Sequence, residues 1–365
     1  MNIIYIEPYY SGSHKNWIDS YKKYSAHNIE ILHLPGNKWK WRMHGGAITL
    51  AKQFLDINKT VDLVLCSDFL NLPVFKSICY QKIKDIPTVM YFHENQLSYP
   101  WSPQDSDIKL NRDLHYHYIN YTSSLVADFN LFNSKYHLSS YIGSLEKYLK
   151  KMPDFNNYET INSISKKSDV LYIGCELEKF NKYRITKKND RPLILWNHRW
   201  EFDKNPELFF KTLFKLKDEG ISFDLAVLGE SFKEYPDIFN QAKEKLSDNI
   251  VQFGYCETFE DYAKWLWKTD LLPVTSNQDF FGISIIESVF CGSIPILPKR
   301  LSYPELFDLK NNLSLFYEND EDFYLRLKDS LINYNKNSIN LSYLTKKYNW
   351  NKIFSVYDKT LSDFK

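Results

Sequence analysis

Short apolar runs alternate with helix-like stretches from the first residue onward, and this alternation limits the fold more than any other feature. Asn2–Glu7 (NIIYIE), Ile29–Leu34 (IEILHL), Val61–Cys66 (VDLVLC), Thr88–Phe92 (TVMYF), Ala127–Phe132 (ADFNLF) and Val170–Ile173 (VLYI) read as buried strands. Strands joined through helices pair in parallel, and a parallel sheet needs helices over both faces. The pattern lapses at Asn181–Arg191 (NKYRITKKNDR), which is polar and closed by Pro192. It restarts with Leu193–Trp196, Phe223–Leu228, Ile250–Phe253, Leu271–Pro273, Ile294–Leu297 and Leu313–Tyr317. The expected class is α/β, with two Rossmann-like, doubly wound domains facing a cleft. Residues 1–180 make the first domain, 181–191 the linker and 192–350 the second. A chain of 365 residues is long enough for two cores. In 351–365, Ile353, Val356, Tyr357 and Leu361 fall at helical spacing, and this helix is expected to cross back to the first domain.

Composition removes several function classes. The 46 basic and 45 acidic residues leave a formal charge of +1, so the chain does not coat nucleic acid through a global field. No apolar run approaches the roughly 18 residues that span a bilayer. Met1–Ile6 reads as a strand, not as a signal peptide. Cys66, Cys79, Cys175, Cys256 and Cys291 are scattered without a CxxC pair, which points to reduced thiols and a cytoplasmic protein.

Ligands of doubly wound sheets sit beyond the carboxyl ends of the strands, and four loops there carry chemistry. The first is Pro8-Tyr9-Tyr10-Ser11-Gly12-Ser13-His14, where Gly12 permits close backbone approach and Ser11 or Ser13 opens a helix that attracts phosphate. The second is Phe92-His93-Glu94-Asn95-Gln96, a set of polar side chains leaving an apolar strand together. The third runs from Trp196 to Pro206; Arg199 and Lys204 flank a helix start with Asn205 as cap and Pro206 at its first position, which suits a pyrophosphate. The fourth is Asp279-Phe280-Phe281-Gly282-Ile283-Ser284-Ile285-Ile286-Glu287. Its Phe281, Gly282 and Ile283 amides offer an anion site, with Asp279 placed for sugar hydroxyls and Glu287 for a ribose.

These loops in this order resemble the retaining GT-B glycosyltransferases, with Asp279 where that family's E-x7-E motif has its first Glu. Longer motifs resemble the tRNA-queuosine α-mannosyltransferase family: Tyr10–Trp17 (YSGSHKNW), Lys38–Arg42 (KWKWR), Tyr91–Pro100 (YFHENQLSYP), Leu228–Phe239 (LGESFKEYPDIF), Phe280–Pro295 (FFGISIIESVFCGSIP), Pro298-Lys299 and Tyr303-Pro304-Glu305. The resemblance implies GDP-mannose as donor and the queuosine cyclopentenediol of a tRNA anticodon as acceptor, with neither metal nor other cofactor. His93, Arg199, Lys204 and Asp279 are then the catalytic set, and Ser11, Gly12, Ser13, Phe281, Gly282, Ile283 and Glu287 hold the donor. His14, Glu94, Asn95 and Gln96 meet the acceptor, together with Lys38, Trp39, Lys40, Trp41 and Arg42, whose alternating cations and rings suit phosphates and exposed bases.

Two metal patterns are set aside. Asp105-Ser106-Asp107 fits D-x-D but lies in a polar loop away from a strand end, and His115 and His117 would face different sides of a helix. One rival is a GT-B hexosyltransferase acting on a cell-envelope lipid or polysaccharide, which needs an exposed basic-apolar helix; Ile142–Met152 is the stretch to inspect. The other is a non-catalytic sugar-nucleotide or RNA binding protein.

Overall fold

The structure is a computed structural model that describes residues 1–102, 105, 107, 113–185, 189–231, 234–334 and 339–364. The chain divides into two compact units, Met1–Gly174 with Trp350–Lys365, and Cys175–Asn349. Each is built on a six-stranded sheet with every paired strand parallel.

The first sheet uses β1 (Asn2–Tyr10), β2 (Asn28–Pro35), β3 (Leu63–Ser67), β4 (Thr88–Phe92), β5 (Phe129–Phe132) and β6 (Ser168–Val170), in the order β2-β1-β3-β4-β5-β6. All residues of β3 and β4 are buried, as their unbroken apolar runs require with helices on both faces. The edge strand β2 is only partly buried. One core lies under this sheet, where Ile4, Ile6, Val64, Met90 and Phe92 meet Ala47, Leu50 and Phe54 of the helix Trp39–Leu55.

The second sheet uses β7 (Leu193–Asn197), β8 (Asp224–Leu228), β9 (Ile250–Phe253), β10 (Leu271–Pro273), β11 (Ile294–Pro298) and β12 (Phe316–Tyr317), in the order β12-β11-β10-β7-β8-β9. Its core sets Trp196, Phe209, Phe210, Leu213 and Phe239 together. The strand order reverses direction at β1/β3 in the first unit and at β7/β10 in the second, the switch points where open α/β sheets bind ligands.

The units do not part at the expected linker 181–191. The division falls at Gly174/Cys175, and Leu177–Tyr183 is a 3-10 helix of the second unit. Its Phe180 lies edge-on to Phe259 at 4.9 Å, and the Phe180 carbonyl accepts from Trp267 Nε1 at 2.8 Å. A short segment that buries one side and exposes Lys179, Lys182 and Arg184 on the other has the composition of a linker without being one. Residues 186–188 lie outside the described residues. The expected strand 313–317 shortens to Phe316–Tyr317, because Leu313–Leu315 winds into a 3-10 turn.

The helix Trp350–Ser362 belongs to the first unit. Its Tyr357 accepts from Trp17 Nε1 at 3.0 Å and donates to the Tyr172 carbonyl at 2.7 Å. Asp358 accepts from Tyr21 at 2.8 Å, Ser25 at 2.5 Å and the Ala26 amide at 2.8 Å. Among the described residues no helix is long and apolar enough to cross a membrane. In the stretch 142–152 to be inspected, Ile142 and Met152 are partly buried against the first core.

Candidate active site

In the first unit, groups from four elements converge beyond the carboxyl ends of β1, β3 and β4. Glu7, buried on β1, accepts through one oxygen from the Tyr9 amide at 2.9 Å and Ser67 Oγ at 2.9 Å. Its other oxygen accepts from Tyr5 at 2.8 Å and faces His14 Nδ1 at 3.1 Å. His14 comes from the helix Gly12–Tyr24, whose first residue has φ +51°, a left-handed value that favours glycine. The His93 ring lies 4.1 Å from that of His14, and its backbone N–H donates to Asp68 at 2.8 Å. His93 Nε2 is buried and has no partner among the described residues.

The surroundings shift the two imidazoles in opposite directions. Burial alone would lower His14, but the Glu7 carboxylate, then Asp68 and Glu94, raise it to about 9. Burial, then the charge of His14, pushes His93 well below its ordinary value. Burial lifts the Asp68 carboxyl to about 8. Glu7, His14 and His93 bring ligand-type atoms within 4.8 Å of one another, the one such group among the described residues. Each Glu7 oxygen is already engaged twice, and as a ligand His14 would have to give up the proton its surroundings favour.

The remaining expected residues of this unit divide. Ser11 precedes the first helix without a side-chain cap bond, and Ser13 is exposed. Glu94 accepts from Gln96 Nε2 at 3.0 Å. Asn95 is fully buried; its oxygen accepts from the Ser98 amide at 2.9 Å, and its Nδ2 has no partner among the described residues. The Gln96 amide donates to Asn120 at 2.8 Å.

The stretch Lys38–Arg42 is not a row of open cations. Lys40 is clamped by Asp105 at 2.7 Å and Asp107 at 2.6 Å, and Arg42 donates to the Pro35 carbonyl at 3.1 Å and to Asn37 at 3.0 Å. Trp39 joins Tyr116 at 5.1 Å and Trp101 at 6.3 Å in an aromatic cluster. Lys38 and Trp41 remain exposed, Trp41 by 63 %. The two D-x-D aspartates thus share Lys40 as an ion-pair partner. His115 is exposed and His117 buried, so the two imidazoles face apart.

In the second unit, the loops after β7 and β10 bring Lys204 and Asp279 together. Buried Lys204 donates to the Gln278 carbonyl at 2.7 Å and lies 3.1 Å from Asp203 and 3.5 Å from Asp279. Asp279 also accepts from Tyr303 at 2.7 Å. Burial would raise the Asp279 carboxyl, but Lys204 foremost outweighs it and holds the group below its ordinary value. Asn205 caps the following helix by accepting from the Leu208 amide at 3.3 Å, with Pro206 at its first turn. Arg199 is exposed and pairs with Glu201 at 3.0 Å.

Gly282, at φ +89°, opens the helix Ile283–Phe290 with no side chain capping the first amides. A side chain there would be strained and would crowd Tyr303 at 3.2 Å. Phe281 is buried at the edge of this turn, and its carbonyl accepts from Ser302 at 3.1 Å. Glu287 accepts from Tyr262 at 2.8 Å, and burial raises its carboxyl. Glu287 and Asp279 therefore have separate partner sets.

Sequence reasoning missed Glu7, Asp68, His198, Tyr262 and Tyr303. Glu7 and Asp68 each close an apolar run at a strand's carboxyl end, the signal that did mark His93. His198 lies inside a loop already singled out; it is buried, its Nε2 has no partner among the described residues, and burial lowers it to about 4. Tyr303 stands in a motif already quoted, but its role, like that of Tyr262, becomes visible only through the carboxylate it donates to.

A family model described as tRNA-queuosine alpha-mannosyltransferase N-terminal matches residues 2–175, and one described as Glycosyl transferases group 1 matches residues 152–347. The chain is 34% identical over 319 residues to a Drosophila melanogaster tRNA-queuosine alpha-mannosyltransferase, covering 85% of this chain and 82% of that one. Among solved structures it resembles a glycosyltransferase from Rickettsia africae, with TM-score 0.67, 16% identity and coverage of 100% and 98% of the two chains. It also resembles sucrose-phosphate synthase from Thermosynechococcus elongatus, with TM-score 0.71, 12% identity and coverage of 100% and 99%. At such identities these likenesses speak for the fold, which is GT-B. With a relative this similar over most of its length, and a glycosyltransferase group 1 region over its second unit, the chain is a glycosyltransferase and belongs to the tRNA-queuosine alpha-mannosyltransferase family.

Proposed function

We propose that this enzyme transfers mannose from GDP-mannose to the cyclopentenediol of queuosine in a tRNA anticodon, with retention of configuration. The observation that carries the donor side is the buried Lys204–Asp279 pair beside the Gly282 helix start, at the β7/β10 switch point. Lys204 supplies fixed positive charge and holds Asp279 for the sugar hydroxyls. Arg199 exchanges Glu201 for the diphosphate, and the amides at Phe281, Gly282 and Ile283 complete the anion site. Glu287 takes the ribose.

In the step itself, the acceptor oxygen bonds to the anomeric carbon as the bond from that carbon to the phosphate oxygen breaks. The acceptor proton passes to the departing phosphate, whose growing charge the fixed cations stabilise. His93, a neutral imidazole with an unpartnered Nε2, orients the hydroxyls. No metal and no further cofactor enter this scheme. Localisation with cytoplasmic tRNA is part of the same reading.

The test is incubation with GDP-mannose and tRNA carrying or lacking queuosine, followed by mass spectrometry of the anticodon nucleosides. A hexose gain on the queuosine-containing tRNA alone is expected. A gain on unmodified tRNA, or on neither, refutes the acceptor. UDP-sugars in parallel test the donor, and turnover that EDTA abolishes and Mn²⁺ restores would refute metal independence. Arg199→Ala is expected to lower kcat by about 10²–10³, as for loss of one fixed donor to a developing anion; unchanged turnover removes its role.

A further inference from the structure

The proposed reaction needs a group that holds the acceptor hydroxyl, and the first unit contains an arrangement that the scheme above does not use. Glu7 is completely buried yet makes four polar contacts, to Tyr5, Tyr9, Ser67 and His14. Three of those donors belong to β1 and β3 and fix the carboxylate in place. The fourth is a ring nitrogen of His14, in the first loop–helix motif. A carboxylate held this firmly selects the imidazole tautomer it faces, so Nδ1 carries its hydrogen toward Glu7.

We propose that Glu7 is a positioning residue for the acceptor diol: it pins His14 with Nδ1–H turned inward and keeps a proton on Nε2, so that His14 meets a hydroxyl oxygen as a charged hydrogen-bond donor. This rests on the function proposed above. Donation to the oxygen's lone pair leaves the hydroxyl proton directed away from His14 and toward the departing phosphate. His14 therefore orients the nucleophile without removing its proton.

The charge balance around the ring agrees. β1 contributes Glu7, the end of β3 contributes Asp68, and the end of β4 contributes Glu94 and neutral His93. The rings of Tyr9 and Phe69 complete the surroundings, at 6.5 and 5.2 Å. Burial opposes the imidazolium, and the carboxylates, Glu7 foremost, outweigh it to give a value of about 9. The charged form is present below that value and lost as pH rises through it.

The experiment compares wild-type protein with Glu7→Gln in two measurements. Mannose transfer to queuosine-containing tRNA is followed across pH, and the His14 ring nitrogens are titrated by NMR. In the wild type, activity is expected to fall on the alkaline side near the His14 value. In Glu7→Gln that limb and the ring titration move together to lower pH by about 1–3 units, the usual effect of one adjacent opposite charge. Glu7→Asp restores part of the displacement, and carries the comparison alone should Glu7→Gln fail to fold. A limb that stays in place, a rate lowered by one factor at every pH, or a His14 ring already neutral below pH 7 in the wild type overturns the proposal. A wild-type enzyme that transfers no mannose overturns the acceptor assignment instead, and the ring titration still decides whether Glu7 governs His14.

Discussion

The two units bury histidines to the same extent and leave them in opposite states. His14 and His198 are each 6 % exposed, yet the first is raised to about 9 and the second lowered to about 4. Burial works against the imidazolium in both. At His14 three carboxyl groups, Glu7, Asp68 and Glu94, overcome it. At His198 the favourable Asp279 and Asp203 are offset by Lys204 and Arg199, and burial prevails. Depth in the fold does not set the charge; the company does. One switch point is acid-rich and favours a protonated imidazole, while the other is cation-bearing and favours a neutral one.

The comparison is most exposed to loss of Lys204. Lys204→Met leaves Asp203 and Asp279 buried without their cation, and is expected to cost about 3–5 kcal/mol of stability and about 10²–10³ in kcat. Urea unfolding and steady-state transfer assays measure both, and a variant of wild-type stability would show that Asp279 is not held by charge. Next in size is the pH dependence of the first unit. The folded value of His14 lies above its ordinary 6.5, so its stabilisation is complete below pH 6.5 and lost as pH rises through about 9. The amount at stake is about 3 kcal/mol. His14→Asn should therefore flatten the alkaline decline seen in wild-type denaturation curves. His198 runs the other way, its contribution being lost as pH falls from 6.5 toward about 4.

Smaller effects sharpen the contrast. Gly282→Ala places a side chain at φ +89° beside Tyr303 and should cost about 1–2 kcal/mol, with donor binding weakened more than acceptor binding in separate titrations. Lys15→Ala breaks an exposed helical pair with Asp19 at 2.7 Å and should cost only about 0.3–0.5 kcal/mol. A larger loss there would mean that charge near the first switch point reaches farther than the Glu7 cluster.

The strands were legible because parallel, doubly covered sheets write unbroken apolar runs, as in LVLCS and TVMYF. The loops chosen from the sequence do follow the carboxyl ends of strands, where such sheets bind ligands. The ion pairs of Lys40 were not legible, because Asp105 and Asp107 lie far along the chain and no local pattern connects them to it. Asn95 shows the converse: its oxygen has a local partner, Ser98, while its buried Nδ2 has none among the described residues. Phe180 shows how a boundary is missed: it closes the stretch 1–180 assigned to the first domain, yet its ring packs on Phe259 of the second unit.

The return of Trp350–Ser362 to the first unit makes the second an insertion within it. The ends of that insertion lie side by side, with Cys175 bridged to Asn349 and its amide donating to the Tyr348 carbonyl at 2.7 Å. During synthesis the insertion can therefore close on itself while its host still lacks the helix that covers Trp17 and Tyr21. The first unit therefore has its full set of contacts only once residues 350–362 are in place.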